Sequence, residues 1–199
     1  MESCREIVAF AEQTYGTVDI VVPVAAAFFA RAFVDIKESE YDHIVDVDQK
    51  GQYFLVQAAA RSMIRGKKGG KVVTVASVAY RGEDMPKLAM MTAYNTAKAG
   101  VVGMTRGIAK ELKQYGINVN CIAPGLVYTK IMDRYSERDI RGFERKIPAG
   151  RGGTVDDIVP MIQFLADKKK SSFIVGQTIF IDGGQSIDGV IDCMLEDEI

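Results

Sequence analysis

The sequence predicts an α/β protein: a doubly wound, mostly parallel sheet with helices on both faces. Three observations carry this. The runs "TVDIVVPVAA" (17–26), "GGKVVTVAS" (69–77) and "INVNCIAP" (117–124) are apolar and rich in β-branched residues, with little alternation. That is the pattern of strands covered on both sides, as parallel strands are. Between the runs lie segments with apolar residues at helical spacing, and such alternation implies helical crossovers between parallel strands. No repeat or low-complexity linker interrupts the 199 residues, so one domain covering 1–199 is expected, its end (185–199) an acidic tail.

Taken in order, residues 2–15 read as a helix whose stripe is Ile7, Val8, Phe10 and Ala11, with Gly16 as its stop. The strand 17–26 follows. Ser39 can cap a long helix reaching Arg65, with Ile44, Val47, Phe54, Leu55, Ala58 and Met63 as core candidates. After the strand 69–77, Gly82 and Pro86 mark 78–91 as a loop. Thr92 or a neighbour opens a helix ending near Tyr115, with Gly116 beyond it. The third strand, 117–124, ends at Pro124 and Gly125. A charged helical excursion covers 131–146, and Thr154 with Asp157 caps a helix over 154–167. "GQTIFIDGG" (176–184) is the last strand and turn.

Composition excludes several classes. A formal net charge of −1 gives no footprint for nucleic acid or an anionic membrane. No apolar run approaches the length of a membrane span, and the polar start is unlike a signal peptide. Cys4, Cys121 and Cys193 are far apart and odd in number, which suggests reduced thiols and a cytoplasmic setting. With His43 the one histidine and no CxxC pair, no metal site is expected. No Gly-x-Ser-x-Gly turn supports a serine hydrolase.

In open parallel sheets, ligands bind beyond the C-terminal ends of the strands. Those ends lead here to Ala25–Ala26, Ser77 and Pro124–Gly125. The helix of "MTAYNTAKAGVVGMTRG" (91–107) starts beside them. Tyr94 and Lys98 lie about one turn apart on it. A nearby ammonium favours the phenolate and brings a phenol below its ordinary pKa of ~10, which would suit Tyr94 to carry protons.

The ordered motifs "YGTVDIVV", "VDVDQKGQYF", "GGKVVTVASVA", "AYNTAKAGVVGMTRGIAKEL", "GINVNCIAPGLVYTK", "GRGGTVDDIVPMIQFLAD" and "GQTIFIDGG" resemble the classical short-chain dehydrogenase/reductase family from about Ile7 to Gly184. The resemblance implies a Rossmann-like fold. It also implies NAD or NADP as cofactor, and an alcohol or ketone as small-molecule substrate. By the same likeness Tyr94 is the acid–base and Lys98 its electrostatic helper and ribose ligand. Ser77 holds the substrate oxygen, and Pro124, Gly125, Val127 and Thr129 hold the nicotinamide. Thr129 also reads as a turn cap. The family commonly forms homo-oligomers, so a dimer or tetramer is implied. Gly100, Gly103 and Gly107 read as close helix packing at a subunit contact. Arg134, Arg138, Arg141 and Arg145 fall where the family carries its substrate lid, and read as a solvated face interleaved with acids.

The likeness has gaps. No glycine-rich strand–turn–helix for a pyrophosphate occurs in the sequence. The chain therefore reads as N-terminally truncated, the C-terminal two-thirds of such a domain. It is expected to be a late-started reading or a product keeping the catalytic half. "PVAA" (23–26) stands where the family carries Asn-Asn-Ala-Gly, which weakens Ala25 and Ala26 as cofactor contacts. Asp48 stands in place of a catalytic asparagine, where its charge could pair with Lys98 and compete with Tyr94. An alternative follows from these gaps: a catalytically impaired scaffold or partner subunit that no longer binds dinucleotide.

Overall fold

In the computed structural model, which describes residues 2–82 and 90–187, four parallel strands lie in the order β1-β2-β3-β4. These are β1 (Ile20–Val21), β2 (Gly70–Val75), β3 (Ile117–Pro124) and β4 (Thr178–Ile181). The helices are α1 (Glu2–Tyr15), α2 (Glu38–Val45), α3 (Gln52–Gly66), α4 (Thr92–Leu112), α5 (Glu137–Glu144) and α6 (Val155–Ala166).

Side-chain alternation along the strands sorts the core into two layers. Val72, Ile117 and Val119 meet Val8 of α1, Val56, Ala59 and Met63 of α3, and Ala109 of α4. Val73 and Ile122 face the other way, onto Ile158, Met161, Ile162 and Leu165 of α6. The sheet is therefore doubly wound, as expected. Each fully buried aliphatic side chain contributes about 1.5–3 kcal/mol. The polar members of "INVNC" also have partners. Asn118 Nδ2 donates to the Ser171 and Ser172 carbonyls (both 3.0 Å), and Asn120 Nδ2 donates to the Ile174 carbonyl at 2.9 Å. Buried Lys71 donates to Ser171 Oγ at 2.9 Å, and burial lowers its pKa.

Several elements differ from the sequence reading. The strand expected over 17–26 is two residues long, because its ladder with β2 next requires an N–H from Pro23, which has none. Further along β2, the Gln52 side-chain amide takes both Val75 groups: Oε1 accepts from the N–H (3.1 Å) and Nε2 donates to the carbonyl (2.9 Å). No position is left there for a longer β1. Ser39 is not the cap of α2; Glu40 reaches back to accept the Lys37 N–H at 3.0 Å. The long helix to Arg65 is divided by a π-helical turn, Asp46–Gly51. Its core positions are Ile44, Val56, Ala59, Ala60 and Met63, whereas Val47, Phe54, Leu55 and Ala58 are half-buried. On α1 only Val8 is buried, and Ile7 and Phe10 face outward.

The remainder follows expectation closely. Gly116 ends the α4 segment at φ +70° after a 3-10 turn, a backbone conformation that favours glycine. Asp157 accepts from the Thr154 N–H (2.7 Å) and hydroxyl (2.9 Å), closing the predicted cap. The expected loop 78–91 begins with a 3-10 turn, Val78–Arg81; its stretch 83–89 lies outside the described residues, as do 188–199 of the acidic tail and Cys193 within it. The excursion after β3 is a 3-10 turn, Lys130–Arg134, followed by α5.

Candidate active site

All four strands run parallel, so their C-terminal ends open on one edge. Ser77 stands just past β2. Its Oγ accepts from the Ala79 N–H at 3.2 Å, which fixes the side chain and leaves its own hydroxyl hydrogen to donate. That hydroxyl lies near the Tyr94 phenol of the first turn of α4 and favours its ionised form. One turn on, Lys98 Nζ lies 5.4 Å from the centre of the Tyr94 ring. Ser77, Tyr94 and Lys98 thus converge where the sequence placed them.

The electrostatics differ from the expectation. The Lys98 ammonium is ion-paired with Asp48 Oδ1 at 3.0 Å and donates to the Val75 carbonyl at 3.2 Å. Lys98 is 1% and Asp48 0% exposed, so water screens neither. Asp48 Oδ2 accepts the Ala27 N–H at 3.0 Å. The Tyr94 phenol is not brought below its ordinary range. Burial above all, and then the Asp48 charge, push its pKa up to about 12, against the opposing effect of the Ser77 hydroxyl. The expected lowering by Lys98 fails because that charge is already matched.

The π-helical turn makes this geometry. It carries Asp48 inward, and four residues on, Gln52 Nε2 donates to the Asp48 carbonyl at 2.9 Å while gripping Val75. Such turns recur at functional sites because they redirect side chains within a helix. Gly100 belongs to the same arrangement: a Cβ there would meet the Gln49 side-chain amide at 2.5 Å. Its near neighbour is thus a side chain of the same chain. Gly103 and Gly107 meet nothing within 4 Å.

Over the phenol sits an apolar wall that sequence reasoning missed. Phe28 meets the Tyr94 ring edge-on at 5.3 Å. Ala79, Met91, Leu126, Met132, Tyr135 and Phe143 complete the cluster. The signal for Phe28 was faint, an aromatic pair just after "PVAA". Ala25 and Ala26 are exposed and make no bond to the site among the described residues, but they lead into Ala27 and Phe28.

The loop after β3 suits the nicotinamide end of a dinucleotide. Val127 bridges Gly153 through its neighbours: the Tyr128 N–H donates to the Gly153 carbonyl, and the Gly153 N–H to the Leu126 carbonyl (both 2.8 Å). The Val127 N–H and C=O therefore face away from Gly153, with no partner among the described residues. A carboxamide carries the matching acceptor and donor. Gly125 packs instead: a Cβ there would meet Gln185 Oε1 at 2.7 Å and Asp182 Cβ at 2.8 Å. Thr129 closes the next turn through its carbonyl, accepting from Met132 N–H at 2.8 Å, and its hydroxyl caps nothing. Tyr128 donates to Glu144 and accepts the Gly152 N–H at 2.9 Å, tying this loop to α5. Arg138, Arg141 and Arg145 are exposed, and Arg141 pairs with Glu137 at 3.3 Å, as a solvated face requires. The Arg134 side chain lies outside the described residues.

Among the described residues no group of acids, thiols or histidines could hold a metal, and no helix is long and apolar enough to cross a membrane. A family model described as enoyl-(acyl carrier protein) reductase matches residues 1–186. A (2S)-[(R)-hydroxy(phenyl)methyl]succinyl-CoA dehydrogenase subunit, BbsD, of Thauera aromatica is 39% identical over 173 residues, 87% of this chain and 67% of that protein. A solved short-chain type dehydrogenase/reductase from Mycobacterium marinum superposes with TM-score 0.87 at 31% identity, covering 94% of this chain and 72% of that one. A gluconate 5-dehydrogenase from Burkholderia cenocepacia J2315, solved with NADP and tartrate, gives 0.84 at 28%, covering 92% and 70%.

Proposed function

The chain belongs to the short-chain dehydrogenase/reductase family and is an oxidoreductase; from that premise we propose that it interconverts an alcohol and a carbonyl by hydride transfer with NAD or NADP. The observation that carries this is the meeting of the Ser77 hydroxyl and the Tyr94 phenol at the strand ends, with Lys98 one turn further on. The dinucleotide, when bound, supplies or takes the hydride.

This chain's residues do the rest. The Ser77 hydroxyl holds the substrate oxygen, and Tyr94 Oη gives that oxygen a proton in reduction or takes one in oxidation. The Val127 peptide groups would hold the carboxamide, and Lys98 would steady the ribose. Pro124, Gly125 and Thr129 shape the same loop. The wall of Phe28, Met132 and Phe143 excludes water and suits a substrate with an apolar flank. The Thauera relative, whose name specifies a phenyl-bearing acyl-CoA, and the NADP of the Burkholderia structure support this reading.

A second reading is favoured by two observations: Lys98 is engaged by Asp48, and "PVAA" offers no polar side chain to a nucleotide. On that reading the chain is a partner subunit that keeps the fold without binding dinucleotide. Titration with NADH and NADPH separates the two. Saturable binding, with protection by nicotinamide, is expected for the enzyme; none at millimolar cofactor leaves the partner role. We also propose a homo-oligomer, dimer or tetramer. Tyr53, Ile64, Ile108 and Leu112 line a groove between α3 and α4 beside the open Gly103 and Gly107. Sedimentation showing only monomer at micromolar chain would overturn it.

A further inference from the structure

Asp48 is the group at this site that the chemistry above does not require. A neutral amide could equally accept the Ala27 N–H, yet the chain places a carboxylate, without access to water, against the Lys98 ammonium. We propose that Asp48 is a positioning residue that holds the Lys98 charge for itself, so that Tyr94 stays protonated through neutral pH. This rests on the reading of Tyr94 as the acid–base.

The geometry is a competition for one cation. Lys98 Nζ is 3.0 Å from Asp48 Oδ1 and 3.2 Å from the Val75 carbonyl, while the phenol ring centre is 5.4 Å away. The carboxylate cannot swing aside: Oδ2 is fixed by Ala27, and its helical turn is braced by Gln52. A phenolate at Tyr94 would form beside a neutralised pair whose negative member also repels it.

Among the described residues, the other elements around Tyr94 bring no second cation. Ala27 and Phe29 after β1, Ile36, and Val45 of α2 are apolar, as are Ala93 and Ala97 on α4 itself. The end of β2 brings the Ser77 hydroxyl. From the lid come Met132, Ile140 and Phe143, with the Tyr135 phenol beside them. The high pKa of Tyr94, raised by burial and Asp48, agrees with this arrangement.

The consequence shows in the pH profiles. Reduction requires a protonated Tyr94 and is fully served at neutral pH. Oxidation requires the phenolate, and its kcat/KM climbs about tenfold per pH unit until the phenol titrates. Phenolate absorbance, compared between the wild-type chain and Tyr94→Phe, reads that titration directly. The two curves should coincide up to about pH 10 and separate only above it, since ~10 is the ordinary phenol value. Separation below about pH 10 would overturn the proposal, and this needs no Asp48 variant to fold.

In Asp48→Asn the amide keeps the Ala27 bond and frees the ammonium. The Tyr94 titration should fall by at least about one unit, and the pH at which the oxidation profile levels off should fall with it. Unchanged absorbance and pH profile in a folded Asp48→Asn would sink the charge competition while leaving the oxidoreductase reading intact. Curves behaving as described in a chain without dinucleotide binding would do the reverse.

Discussion

Tyr94→Phe is expected to lower kcat/KM for carbonyl reduction by about 10²–10⁴-fold, the usual contribution of a positioned general acid. That is roughly 3–5 kcal/mol of transition-state stabilisation. The substitution removes one oxygen near Ser77, while the ring keeps its edge-on contact with Phe28. Fold and dinucleotide affinity should therefore survive. The measurement is the initial rate of NADH or NADPH consumption, with a thermal melt alongside. Substantial turnover in the folded variant would remove Tyr94 from the chemistry.

The largest effect on stability is expected from Asp48→Ala. Asp48 and Lys98 are 0% and 1% exposed, so deleting the carboxylate leaves an ammonium buried with only the Val75 carbonyl for company. The Ala27 N–H loses its acceptor at the same time. Breaking a buried pair from one side costs about 3–5 kcal/mol, a large part of the ~5–15 kcal/mol margin of a typical domain. Asp48→Asn should lose less, because it keeps an acceptor for Ala27. Urea denaturation of the two variants checks the order; an Asp48→Ala as stable as wild type would mean that water reaches Lys98.

The fold was legible because its signals are local. "GGKVVTVAS" and "INVNCIAP" are short, mostly apolar and rich in β-branched residues, and Gly116 and the Thr154–Asp157 cap mark boundaries that the chain uses. The Ser77, Tyr94 and Lys98 cluster was legible because one helix carries two of its members and a strand end carries the third. What escaped depends on register and on three-dimensional neighbours. The position of Pro23 decides the length of β1 only once the ladder with β2 is known. The π-helical turn has no composition of its own; Asp48 and Gln52, four apart, gave only a shared helical face. The sense of the Tyr94 shift required knowing how near two charges lie, and no sequence spacing contains that distance.

The grip of Gln52 on Val75 also bears on how the molecule behaves in crowded company. An exposed strand margin invites a foreign strand to zip onto it, which is how many aggregates begin. Here β1 shields the first part of β2 and the amide occupies the next donor and acceptor in line. An intruding chain would have to evict a buried side chain and surrender two hydrogen bonds before forming any of its own. A glutamine that braces the turn carrying Asp48 thereby also covers the margin of β2 that the short β1 leaves open.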